Sequence, residues 1–145
     1  MSTIRSFDVS TRQETVGPVA AGQLDQTARP ITVDDVVRER ERRLALGFDY
    51  DFGDARGVHR IGTTQNDMIG WRDVTDYANA LIDSNDITTL INIVTDTGAA
   101  QVTAPEWQAV ILHAATVRQT LWAKSFALQG LSIIPGDFAD DSHWT

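Results

Sequence analysis

The sequence predicts an α+β domain: a small antiparallel sheet from two hairpins with three helices packed on it, preceded by an extended N-terminal arm. Three observations carry this. Stretches of helical periodicity alternate with pairs of short strand-like stretches, and each pair is joined by a glycine-bearing turn. Residues 1–31 are sparse in large apolar residues, which divides the chain into an attachment arm at 1–31, an α+β domain at 32–131 and an acidic-aromatic tail at 132–145.

In the arm, large apolar residues are sparse (Ile4, Phe7, Val9, Val16, Val19, Leu24, Ile31) and small or polar residues fill the gaps. Phe7–Val9 and Glu14–Val16 flank Ser10–Gln13 in the manner of a small hairpin, while Gly17-Pro18 and Arg29-Pro30 break any helix. A segment this poor in apolar surface orders itself on another surface, not alone.

The first helix is expected over 33–46. Thr32 caps it with Asp35 in a capping-box position, Asp34/Arg38 and Glu39/Arg43 are i,i+4 pairs, and Gly47 stands as the stop. Val33, Val36, Val37 and Leu44 give it a packing face. The alternating acids within Arg38–Arg43 offset much of its charge and mark a solvated or partner-facing helix, not a nucleic-acid patch.

Phe48–Phe52 alternates aromatic with Asp, as a half-buried strand does, and Gly53–Gly57 turns it into Val58–Ile61. Thr64 with Asp67 makes a second capping box, opening a helix at 65–83 whose face runs through Met68, Trp71, Val74, Ala78, Leu81 and Ile82. Thr89–Thr95 is β-branched and apolar, the pattern of a central strand, and returns through Asp96-Thr97-Gly98 to Ala99–Val102. Thr103-Ala104-Pro105-Glu106 combines a cap, an early proline and an N3 glutamate, and the helix it starts runs to about Gln129 before Gly130. Trp107, Val110, Ile111, Ala114, Val117, Leu121 and Leu128 form its stripe. Ala115, Trp122 and Phe126 widen that stripe, so contact on more than one side is expected.

Composition bounds function. The chain has 145 residues, 42% hydrophobic and 22% charged, enough for one core and close to ordinary globular usage. Net charge is −8, and the excess lies in residues 48–145, which disfavours nucleic acid and anionic membrane as partners. There is no cysteine, so thiol chemistry and disulfides are excluded. No apolar run approaches the roughly 20 residues of a bilayer span, and the first twenty residues lack a signal-peptide core.

Few residues point to catalysis. Asp96-Thr97-Gly98 after an apolar strand matches the aspartic-protease tripeptide, but a long helix follows where that enzyme needs further strands, and a hairpin turn accounts for it. Asp49, Asp51 and Asp54 begin like a calcium loop, yet the glycine falls at the fifth place and Arg60 at the twelfth. His59, His113 and His143 are too scattered for zinc, and His113 reads as a partly buried core or interface residue. His143 with Asp137, Asp140 and Asp141 is at most a weak oxygen-rich site. No catalytic, cofactor-binding or metal residue is therefore assigned, and an enzyme is not expected.

Glu41–Tyr50, the segment around Trp71, the Thr103–Trp107 helix start and the closing Ile134–Trp144 together resemble a domain of unknown function found in tailed-phage and prophage tail proteins, often near tail-fibre genes. The arm looks like the loose leaders of tail-fibre-assembly proteins. The resemblance implies a structural component of the tail (fibre, baseplate or tip) that works by protein–protein assembly. It would sit in the virion, and in the host cytoplasm during assembly, with other tail proteins and further copies of itself as partners. A tail-fibre assembly chaperone, absent from the finished particle, is the alternative. The residues expected to meet a partner are Phe7, Val9, Val16, Leu24, Trp122, Phe138 and Trp144.

Overall fold

In the computed structural model, which describes residues 29–145, the order is α1 (Val33–Leu44), β1 (Phe48–Asp51), β2 (Val58–Ile61), α2 (Gln65–Asp83), β3 (Ile91–Thr95), β4 (Gly98–Val102), α3 (Ala104–Gln129) and a 3-10 turn at Asp141–His143. The fold is α+β, with two antiparallel hairpins and, among the described residues, three α-helices. The expected hairpin at Ser10–Gln13, and Phe7, Val9, Val16 and Leu24, lie outside the described residues.

Capping chemistry places the two longer helices where the sequence puts them. The Thr64 hydroxyl accepts the Asp67 N–H at 3.2 Å while the Asp67 carboxylate accepts the Thr64 N–H at 2.9 Å. Thr103 and Glu106 repeat this reciprocity at 3.4 and 2.9 Å. Helix α1 ends at Leu44, two residues before the expected limit. The Leu44 carbonyl is taken from outside the helix, by the Thr63 hydroxyl at 2.7 Å and the Arg118 guanidinium at 3.3 Å. Gly47 instead makes the bend into β1, with φ +78°; a Cβ there would lie 2.3 Å from the Ile61 carbonyl oxygen.

The hairpins pair in register, Phe48 opposite Ile61 and Ile91 opposite Val102. They remain two ribbons. Their edges meet at β2 and β3, where the Asp96 N–H donates to the Arg60 carbonyl at 3.0 Å and the Arg60 N–H to the Thr97 hydroxyl at 3.1 Å. Strand β3 starts at Ile91, later than the expected Thr89. The Asp86 carboxylate holds the N–H groups of Thr88 and Thr89, at 3.1 and 2.9 Å, and the Thr89 hydroxyl at 2.7 Å, so Thr89 belongs to a turn.

Helix α3 spans two cores. Its first half packs Trp107 and Val110 with Ala78 of α2 and with Phe48, Ile61, Ile91, Ile93 and Val102 from the hairpins. The indole of Trp71 lies 5.0 Å from that of Trp107, and their N–H groups donate to the Gly62 carbonyl at 2.7 Å and the Thr75 hydroxyl at 2.9 Å. Its second half meets α1 and the tail, burying Val36, Leu128 and Trp144 with Leu121, Ile134 and Phe138 around them. Ser125, fully buried between α3 and α1, accepts from Gln129 at 2.8 Å and from Arg40 at 3.5 Å. Gly62, just after β2, is a second close approach. A Cβ on it would lie 2.5 Å from an Asp67 carboxylate oxygen and 2.9 Å from one of Asp96.

Candidate functional site

The strongest candidate is the outward face of the second hairpin. The alternation of β3 turns Ile91, Ile93 and Thr95 inward and leaves Asn92 and Val94 outward, beside Ala99 and Gln101 of β4. No layer of the described chain covers this face: Val94 is 75% exposed and Leu90, just before the strand, 52%. The expectation of a central strand is corrected here: β3 pairs with β4 alone, in a two-stranded sheet, and its outward face is open as well. An apolar, open concavity of about 880 Å³ lies over it, edged by Leu90, Asn92, Val94, Gln101, Arg56 and Glu106. A smaller one of about 300 Å³ lies on the other side of Val94, towards Gly70, Trp71 and Val74 of α2. Val94 is therefore a ridge between two hollows.

One arginine builds the polar end of the larger hollow. Arg56, in the turn of the first hairpin, donates to Asp54 at 2.6 and 3.0 Å, to Glu106 at 2.9 and 3.0 Å and to the Gln101 carbonyl at 2.8 Å. Its guanidinium carbon stands 4.5 Å over the Phe52 ring. Hydrogen bonding from Arg56 brings the Asp54 carboxyl down to about 2. Arg56, and after it the Thr103 N–H, holds Glu106 below the ordinary glutamate range, and Asp54 followed by Glu106 raises Arg56. The guanidinium joins the first turn to β4 and to the cap of α3. Residues 56 and 106 are too far apart in sequence for any local pattern to have joined them.

The other chemical candidates have local uses. Asp96 and Thr97 form the two-residue turn between Thr95 and Gly98, and Gly98 has φ +141°. The Thr95 hydroxyl lies 2.9 Å from the Gly98 carbonyl and 2.8 Å from Nδ1 of buried His59, so it ties that ring to the turn. Of the aspartates read as a calcium loop, Asp51 accepts the Gly53 N–H at 2.8 Å, Asp49 pairs with Arg60 at 3.2 Å and Asp54 serves Arg56. His143 Nε2 lies 2.9 Å from Asp137, and among the described residues no three His, Asp or Glu side chains are grouped to hold a metal ion. His113 is exposed, not partly buried, and rests over Phe48 and Tyr50 at 5.3 and 5.6 Å. Among the described residues no helix is long and apolar enough to cross a membrane.

The described residues expected at an assembly interface divide. Trp144 is 2% exposed; its indole N–H donates to the Phe138 carbonyl at 2.7 Å and its ring faces the Arg43 guanidinium. It is enclosed by its own chain and offers no surface, because the aromatic tail completes the second core. Phe138 is half-buried against the same cluster. Trp122 is half-buried, with the Arg40 guanidinium carbon 3.9 Å from its ring centre and exposed Phe126 5.7 Å away. Compared with protein-family models, curated proteins and solved structures, the chain finds no match.

Proposed function

We propose that this chain is a non-catalytic structural component of a phage tail, at the fibre, baseplate or tip, that acts by joining other tail proteins. The observation that carries the assembly reading is β3. Its sequence is β-branched and apolar, yet β3 pairs with β4 alone and Val94 stands open between two hollows. The missing cover is a neighbouring protein. The tail setting rests on the resemblance of Glu41–Tyr50, the segment around Trp71, Thr103–Trp107 and Ile134–Trp144 to the phage-tail domain. The arm, with Phe7, Val9, Val16 and Leu24, is a second attachment device, proposed on its sequence alone.

The test is incorporation. Peptide mass mapping of particles purified from cells that carry the gene is expected to find the chain. Val94→Asp and deletion of residues 1–31 are each expected to leave a folded domain that no longer enters the particle. Normal incorporation of Val94→Asp overturns the role of the hairpin face. A chain present during assembly and missing from finished particles makes it the chaperone instead.

A further inference from the structure

We infer that the outer face of α3 is covered by a second copy of this chain, running antiparallel about a two-fold axis at Gln119. The inference rests on the chain being an assembly protein but not on which assembly it joins.

Ala109, Leu112, Thr116, Gln119, Ala123 and Phe126 recur at alternating spacings of three and four along α3, and all six are exposed, Leu112 by 70% and Phe126 by 60%. That is the spacing of a helix–helix seam. It lies opposite the seam that Trp107, Val110, Ala114, Val117, Leu121 and Leu128 bury within the chain. A surface helix ordinarily sets charge on its outer side. Between Glu106 and Lys124, α3 carries one Asp, Glu, Lys or Arg, namely Arg118, whose guanidinium is turned to the Leu44 carbonyl. His113 is turned to the rings of β1.

Two features select a second copy as the occupant. First, each chain carries −8, so two copies meet at least electrostatic cost where neither presents a charge. Secondly, the exposed residues nearest Gln119 on this side of α3 are palindromic about it. Leu112 lies seven residues before Gln119 and Phe126 seven after; Ala115 lies four before and Ala123 four after. In an antiparallel pair, Leu112 meets the partner's Phe126, Ala115 meets the partner's Ala123, and Gln119 meets the partner's Gln119. The small residues let the backbones approach, and the paired amides donate and accept across the axis and fix the register. Such a surface contacts itself, as an isologous interface requires. The helix is about 39 Å long and 10–12 Å wide, roughly 400–500 Å² a side, at the small end of specific interfaces. Its dimer is therefore reversible.

Sedimentation equilibrium of the full chain tests this. The mass is expected to rise from 16.0 kDa towards twice that value with concentration, with a midpoint of roughly 10–100 μM. Leu112→Glu and Phe126→Glu should each weaken the dimer about tenfold or more, with unchanged far-UV circular dichroism. The chain has no cysteine, so engineered thiols report the geometry. Under oxidation Gln119→Cys should cross-link, Leu112→Cys alone should not, and Leu112→Cys combined with Phe126→Cys should. A chain that stays monomeric, a dimer indifferent to both glutamates, or self-linking by Leu112→Cys overturns the inference. Particle entry is read separately on Val94→Asp, so either result can fail while the other stands.

Discussion

The two halves of α3 are held by different physics. Around Trp107, the hairpins and α2 enclose a core of large apolar side chains. Around Leu128, apolar burial is thin, and α1 brings arginines: Arg40 over Trp122 and onto Ser125, and Arg43 over Trp144 with its guanidinium on Glu39, Asp141 and the Ala139 carbonyl. The first half derives its stability from area removed from water; the second adds the geometry of planar cations to a smaller apolar core. The folding unit is thus anchored at one end and clamped at the other.

The comparison is sharpest at its tryptophans. Trp107→Ala is expected to cost about 4 kcal/mol and to lower the urea midpoint of the whole domain. Trp144→Ala should act locally, speeding hydrogen exchange in α1 and the tail while β1–β4 keep their protection. If it exposes the hairpins as well, the two-core description is wrong. Next in size, Arg43→Ala should cost about 1–2 kcal/mol through lost charge-assisted bonds in a guanidinium only 10% exposed, again with exchange rising in the tail first.

Acid should act at the hairpin end. Asp54 and Glu106 titrate below their ordinary values because of Arg56. Their folded pKa values are depressed, so their contribution is present above the unfolded values near 4 and is lost as pH falls through the folded ones, towards 2 for Asp54. Urea midpoints measured from pH 6 down to 2 should fall over that window, modestly given the exposure of both carboxylates. In Arg56→Ala the fall should be shallower, and an unchanged profile would remove Arg56 as its cause. Smallest of all, Val94→Asp should move stability by under about 0.5 kcal/mol, since the side chain touches water already.

Much of the scaffold was legible because its signals are local. Thr64/Asp67 and Thr103/Glu106 announce their helices within four residues, and both helices have the bounds read from the sequence. What was illegible depends on partners distant in the chain. The Leu44 carbonyl is closed by Thr63 and Arg118, which ends α1 early. Arg56, in the turn of the first hairpin, meets Glu106 of α3. The apolar pattern of Thr89–Thr95 marks a strand but not its neighbours, and so conceals that β3 pairs with β4 alone and leaves one face open. The aromatic tail reads equally as a partner's anchor or its own, and the Val36–Leu128 gap decides for Trp144.

Gly47 and Gly62 leave a searchable mark. A methyl group at either would run into a neighbour, the Ile61 carbonyl in one case and two carboxylates in the other. Any descendant of this architecture, however far its surface has drifted, keeps the first position bare, because its obstacle is backbone; a side chain at the second displaces the carboxylate that caps the next helix. That skeleton key, sought by spacing instead of overall likeness, is how kin of this chain can be found.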